Sequence, residues 1–197
     1  MRVLKVVMAL ILATLLAGCY FQSDSLLATP LAGGDAILGL GEGGPVRVKF
    51  LGEADETTAT VVPQKQGDGS VRYEVVSASA AGSQEDKVYL SSIRLSDDRY
   101  IVRYTSIKRG TASEVQDTQL AFLSFQNDQY NYLTTIDDKS MLSKIFPAEG
   151  QRPKNSPDKD GIFVETLDQA KTISLYFHGH MAEFRKDRDY GRAEIVH

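Results

Sequence analysis

Few residues in this chain are equipped for chemistry. Its 197 residues include three histidines, one cysteine and no tryptophan. His178-Gly179-His180 is the nearest approach to a metal-ligand pair. On a helix, however, positions i and i+2 point ~200° apart, whereas helical metal sites use i and i+4. The expectation is therefore two solvated histidines, with no metal and no other cofactor. Ser156-Pro157-Asp158-Lys159 has the S-x-x-K spacing of a serine nucleophile with its lysine. That chemistry needs the serine at a helix start, and this stretch is rich in proline. Gly39-Leu40-Gly41-Glu42-Gly43-Gly44 spells G-x-G-x-x-G. Phosphate binding requires those glycines to open a helix, whose free N–H groups meet the anion. Here Pro45 and a strand pattern follow, so the reading is a linker. The acidic pairs Glu85-Asp86, Asp97-Asp98 and Asp137-Asp138 fall in turns or at a helix start. Their simplest roles are turn formation and, for the last pair, interaction with the positive end of a helix. No catalytic residue is expected.

Tyrosine is the one residue type whose placement suggests recognition. Tyr100 and Tyr104 share parity on one strand, as do Tyr130 and Tyr132 on another, so each pair lies on one face. A wet face of that kind would be a candidate binding surface for a partner protein or glycan.

These residues sit in a pattern of period two. Val46, Val48 and Phe50 alternate with Arg47, Lys49 and Leu51, and Thr57–Val62 is β-branched apart from Ala59. Val71, Tyr73 and Val75 follow the turn cluster Gly67–Ser70. Lys87–Leu95 and Arg99–Ile107 flank Ser96-Asp97-Asp98, and Gln119–Gln126 and Gln129–Ile136 flank Asn127-Asp128. The fold class expected is mainly β, an antiparallel meander of about seven strands in a small barrel or curved sheet. A short helix over Asp138–Phe146 stops at Pro147, and Pro147–Gly161 reads as a mobile loop. Ile162-Phe163-Val164 reads as a last strand. Thr166 and Gln169 have capping-box spacing, and Ala170, Ile173, Phe177, Met181 and Phe184 form an apolar stripe. That stripe predicts a C-terminal α-helix packed on the sheet. Residues 185–197 read as a charged tail.

Composition narrows the function further. With 22 basic against 26 acidic residues, nothing marks the chain for nucleic acid. Basic Arg2 and Lys5, an apolar run from Val6 and small Ala17-Gly18 form the layout of an export signal. The uncharged stretch 6–21 would span ~24 Å as a helix, short of a ~30 Å hydrocarbon core. Leu16-Ala17-Gly18-Cys19 resembles the lipobox of bacterial lipoproteins. The resemblance implies diacylglyceryl attachment to the Cys19 sulfur, cleavage before Cys19 and acylation of the new amino group. Several acyl chains would hold the chain firmly to a lipid bilayer. Tyr20, where the enterobacterial pattern puts Asp for inner-membrane retention, favours the outer membrane facing the periplasm. Beyond the export segment the chain resembles uncharacterised proteobacterial lipoproteins in style only.

The domain organisation expected is a signal peptide over 1–18, a lipidated flexible tether over 19–45, and a β-rich domain with its helix over 46–184. The function expected is a membrane-anchored, non-catalytic binding or envelope-structural module with an envelope protein partner. Two alternatives stand beside it: an inhibitor of an extracytoplasmic enzyme, and a hydrolase whose site is built from turn residues.

Overall fold

A computed structural model describes residues 20–23, 26, 32–40, 44–51, 56–77, 87–107, 115–136, 139–155, 161–184, 186 and 189–196. Among these residues, eight strands close a barrel. They are β2 (Val46–Leu51), β3 (Glu56–Lys65), β4 (Val71–Ser77), β5 (Lys87–Ser96), β6 (Arg99–Ile107), β7 (Val115–Gln126), β8 (Gln129–Leu133) and β11 (Tyr190–Val196). Each pairs antiparallel with its neighbour in that order, and β11 pairs with β2 to shut the ring. Closure removes the exposed edges that an open sheet of this length would present. Three short strands, β1 (Tyr20–Gln22), β9 (Lys154–Asn155) and β10 (Gly161–Phe163), form a flap on the outside. β7 is long enough to carry both additions on one edge. It pairs with β1 at Phe21–Leu120 and with β8 from Phe122–Leu133 to Gln126–Gln129.

The two ends of the barrel differ. At one end, the rim, tight turns join β3 to β4, β5 to β6 and β7 to β8. Asn127 (φ 52°) and Asp128 (φ 59°) both take the left-handed conformation that a two-residue hairpin turn needs. At the other end lie the β2–β3, β4–β5 and β6–β7 connections, whose residues 52–55, 78–86 and 108–114 are outside the described set.

Alternation along the strands divides the core in two. Val48, Val61, Val71, Tyr73, Tyr100, Val102, Leu123, Tyr130 and Ala193 share the lumen, which in an eight-stranded barrel is just wide enough for side chains to fill. Ile101, Leu120, Phe122, Leu133 and Tyr190 face outward and are covered by helices α1 (Lys139–Ile145) and α2 (Leu167–Gly179). The stripe of α2 is the reason it docks: Ala170, Ile173 and Phe177 are fully buried against β6 and β7. The Thr166 hydroxyl accepts from the Gln169 N–H, and the Gln169 side chain bonds back to the Thr166 N–H. This completes the capping box anticipated from the spacing. α2 ends at Gly179, so Met181 belongs to a single 3-10 turn, and Phe184 returns edge-on to Phe177 at 5.2 Å.

Three expectations about the chain's organisation change. The segment expected as a charged tail contains β11, where Gly191, Ala193 and Ile195 face the lumen beside Tyr132, Tyr130 and Val48. Its alternation was masked by the charged residues on the outer face, Arg192 and Glu194. The proline-rich loop contains a 3-10 turn at Glu149–Gln151 and the flap strand β9. The expected flexible tether is, over its described residues, bonded into the barrel. Residues 20–22 form β1, Leu26 is buried in the outer core, and 34–40 enter the lumen. The signal-peptide segment 1–18 and Cys19 lie outside the described residues.

Candidate functional site

The rim brings together most of the residues that could act. Its centre is the segment 34–40, which reaches the lumen by passing between two strands. The β4–β5 ladder stops at Tyr73–Leu90. Beyond it, Gly34 exchanges both main-chain bonds with Val71 (2.9 and 2.8 Å), and Asp35 N–H donates to the Ser92 carbonyl at 2.9 Å. Ser92 Oγ donates to the Asp35 carbonyl at 2.5 Å, and an Asp35 carboxylate oxygen accepts from Arg94 N–H at 2.7 Å. Only glycine fits at 34, because a Cβ would collide with the Ser92 carbonyl. On the outer side, buried Arg103 donates to the Ala32 carbonyl at 3.4 Å. Burial lowers its pKa to about 10, so it stays charged at neutral pH.

Inside, three tyrosines hold the segment by its backbone. Tyr73 Oη accepts from Ile37 N–H at 2.7 Å, and Tyr100 Oη accepts from Leu38 N–H at 3.2 Å. Tyr130 Oη donates to the Leu38 carbonyl at 2.6 Å, while Tyr100 Oη donates to the Asp97 carbonyl at 3.2 Å. Ile37 and Leu40 are buried among them. Gly39 (φ 78°) turns the chain so closely past Tyr130 Oη and Ile195 that a side chain would clash. Burial pushes the Tyr130 hydroxyl up to about 12, with Tyr100 and Tyr73 adding to the effect, and burial raises Tyr73 as well. The hydroxyls that could have read a ligand are thus committed to the chain's own main chain.

This placement corrects the expected wet tyrosine face. Tyr100 is 1% exposed and Tyr130 3%. Register also puts Tyr104 and Tyr132 on the lumen side, half-buried. Tyr132 packs edge-on to Phe50 at 6.1 Å and fills the space left by Gly191. Parity located the shared face correctly; barrel closure turned that face inward.

A second cluster ties α2 to the same rim. His178 Nδ1 lies 2.9 Å from Ser124 Oγ and 2.9 Å from Gln126 Nε2, and His178 Nε2 is 3.6 Å from an Asp98 carboxylate oxygen. Serine, histidine and aspartate in sequence contact invite comparison with a hydrolytic triad. Two observations weigh against that role. Gln126 Nε2 also donates to the His178 carbonyl at 2.9 Å, which identifies this end of the amide as the donor. That nitrogen therefore competes with Ser124 Oγ for the Nδ1 position of His178, while the other ring nitrogen faces Asp98. Ser124 is also only 1% exposed, so a substrate carbonyl could not approach it. The cluster works as a clasp between helix and turn. His180 stacks on Tyr176 at 4.3 Å and lies on the exposed side. The two histidines diverge, as their spacing required, but only His180 is the solvated side chain expected; His178 is half-buried in the clasp.

Among the described residues, no group of three His, Cys, Asp or Glu side chains stands close enough to hold a metal ion. Asp97 and Asp98 occupy the β5–β6 turn, where Asp97 pairs with Arg94 at 2.7 Å and Asp98 accepts from Ser96 Oγ at 2.8 Å. Glu85, Asp86, Asp137, Asp138, Ser156–Lys159 and His197 lie outside the described residues. The clasp is not legible in the sequence because His178 lies more than fifty positions from Ser124 and Gln126, across the hairpin–helix excursion. Within 34–40 the sequence marks Ile37 and Leu38 as apolar residues of a tether that could dock on the domain edge, but no periodicity there shows that the segment enters the lumen.

Comparison with protein-family models, with curated proteins and with solved structures finds no match for this chain. Among the described residues no helix is long and apolar enough to cross a membrane.

Proposed function

We propose that this chain is a lipid-anchored binding module of the bacterial cell envelope that works without catalytic chemistry. The anchor is Cys19, supported by the order of basic, apolar and small residues before it. The outer membrane, facing the periplasm, is the favoured location. The observation that carries the non-catalytic part is the occupied lumen. In a barrel of this size the interior is the natural ligand cavity. Here Ile37 and Leu40 fill its mouth, and Tyr73, Tyr100 and Tyr130 spend their hydroxyls on residues 37 and 38. Recognition of an envelope protein is then left to the outer surface, and the rim presents Leu38, 48% exposed, among tight turns.

Two measurements test this reading. Cys19→Ala should leave the domain folded and move it from the membrane to the soluble fraction. Persistent membrane association of that variant would contradict the anchor. A photo-cross-linker placed at Leu38 in cells should give one discrete envelope adduct that a cross-linker at Gly67, on the β3–β4 turn, does not give. Hydrolytic turnover abolished by Ser124→Ala or His178→Ala would instead make the clasp an active site and overturn the proposal.

A further inference from the structure

β1 starts at Tyr20, directly after Cys19, and is already part of the folded body. Tyr20 pairs with Gly161, and Phe21 pairs with both Ile162 and Leu120. The Gln22 carbonyl accepts from Val164 N–H at 2.8 Å. Consecutive Cα atoms are ~3.8 Å apart, so the anchor point and the flap are separated by a single residue step. Taking Cys19 as the lipid site, on which this inference rests, we propose that the outward face of the β1–β10–β9 flap is a docking surface for the lipid bilayer. The barrel then rests on the membrane in one orientation and does not swing on a tether.

The flap has two distinguishable faces. Phe21 and Ile162 turn into the outer core, and Phe21 meets Phe122 edge-on at 4.8 Å. With a period of two, Gln22, Phe163 and the Phe163 partner Lys154 face the other way. Gln22 and Phe163 are half-buried and Lys154 is exposed. The described charges here are compensated: Lys154 pairs with Glu165 at 2.8 Å, and Arg152 with Glu149 at 3.9 Å. Attraction to anionic headgroups is correspondingly small, so the acyl chains supply the affinity and the short connection supplies the orientation. The far side follows from strand order. β3 stands four strands from β7 whichever way the ring is traversed, so the β3–β4 hairpin lies on the wall opposite the flap.

The test uses the full-length lipidated protein in phosphatidylcholine–phosphatidylglycerol vesicles. Acylation blocks the only native thiol, so a spin label can be placed by Lys154→Cys or by Gly67→Cys, where an added side chain meets nothing within 4 Å. At position 154, access of a water-soluble nickel chelate should fall several-fold on vesicle binding and access of oxygen should rise; at position 67 neither should change. Equal access at both sites on vesicle-bound, lipidated protein would overturn the docking surface and leave the anchor standing. Mass spectrometry showing an unmodified Cys19 would overturn both. A ten-residue Gly-Ser insertion between Cys19 and Tyr20 should restore access at position 154 while the protein stays membrane-bound. Unchanged protection would contradict the role of the short connection.

Discussion

At the scale of single residues, the account turns on polar groups that the fold has taken out of water. Tyr130 illustrates the linkage. Its hydroxyl is held protonated to about 12 in the folded chain against an ordinary value of 10, because burial disfavours the phenolate. A raised folded-state value means that the native chain keeps the proton longer than the unfolded one. The stability it contributes is whole below pH 10 and is lost as pH climbs toward 12. Tyr73 shifts in the same direction. Thermal unfolding followed from pH 8 to 12 should show that alkaline loss, on the order of 2 kcal/mol for Tyr130. Tyr130→Phe should remove most of it while costing about 1 kcal/mol at neutral pH through the lost bond to Leu38. Gly34→Ala is a harsher change, since the new Cβ meets the Ser92 carbonyl. It should destabilise by roughly 1–3 kcal/mol in a denaturant titration.

At the scale of elements, local rules were readable wherever the pattern was local. The capping box at Thr166 and Gln169, the stripe of α2 and the Asn127-Asp128 turn all follow from spacing over a few positions. Thr166→Ala should cost about 1 kcal/mol, measured by denaturant midpoint at constant slope. Phe177→Ala should cost roughly 3–5 kcal/mol, because its ring packs against both Phe184 and Tyr190. What the sequence did not disclose was non-local. The lumen-facing residues of β11 are small or aliphatic and its outward residues are charged, so the strand resembles a solvated tail until β8 and β2 stand on either side of it. The same holds for β1 and the segment 34–40. These short apolar stretches have no period of their own, and their partners, Leu120, Val71 and Ser92, are contributed by distant strands. Of the candidate site, the common face of Tyr100 and Tyr104 was legible, but its direction depended on whether the sheet closed.

At the scale of the whole molecule, the N-terminal belt is the organising feature. It pairs with β7, buries Leu26 under the outer core, passes between β4 and β5 at Gly34, and ends as the plug of the lumen. A barrel completed in this way has its interior occupied by its own chain and residues 20–22 fixed to its wall. Deleting residues 20–40 should therefore do more than shorten a linker. It would uncover Tyr73, Tyr100 and Tyr130 at the rim and remove one partner of β10, and the truncated chain should show a lower Tm and bind a hydrophobic dye. The central claim, that the belt is part of the fold, is tested most directly by native-state hydrogen exchange at the amides of Gly34, Asp35, Ile37 and Leu38. The account predicts protection comparable to that of the barrel strands; exchange of these four amides at the rate of an unstructured chain would contradict it.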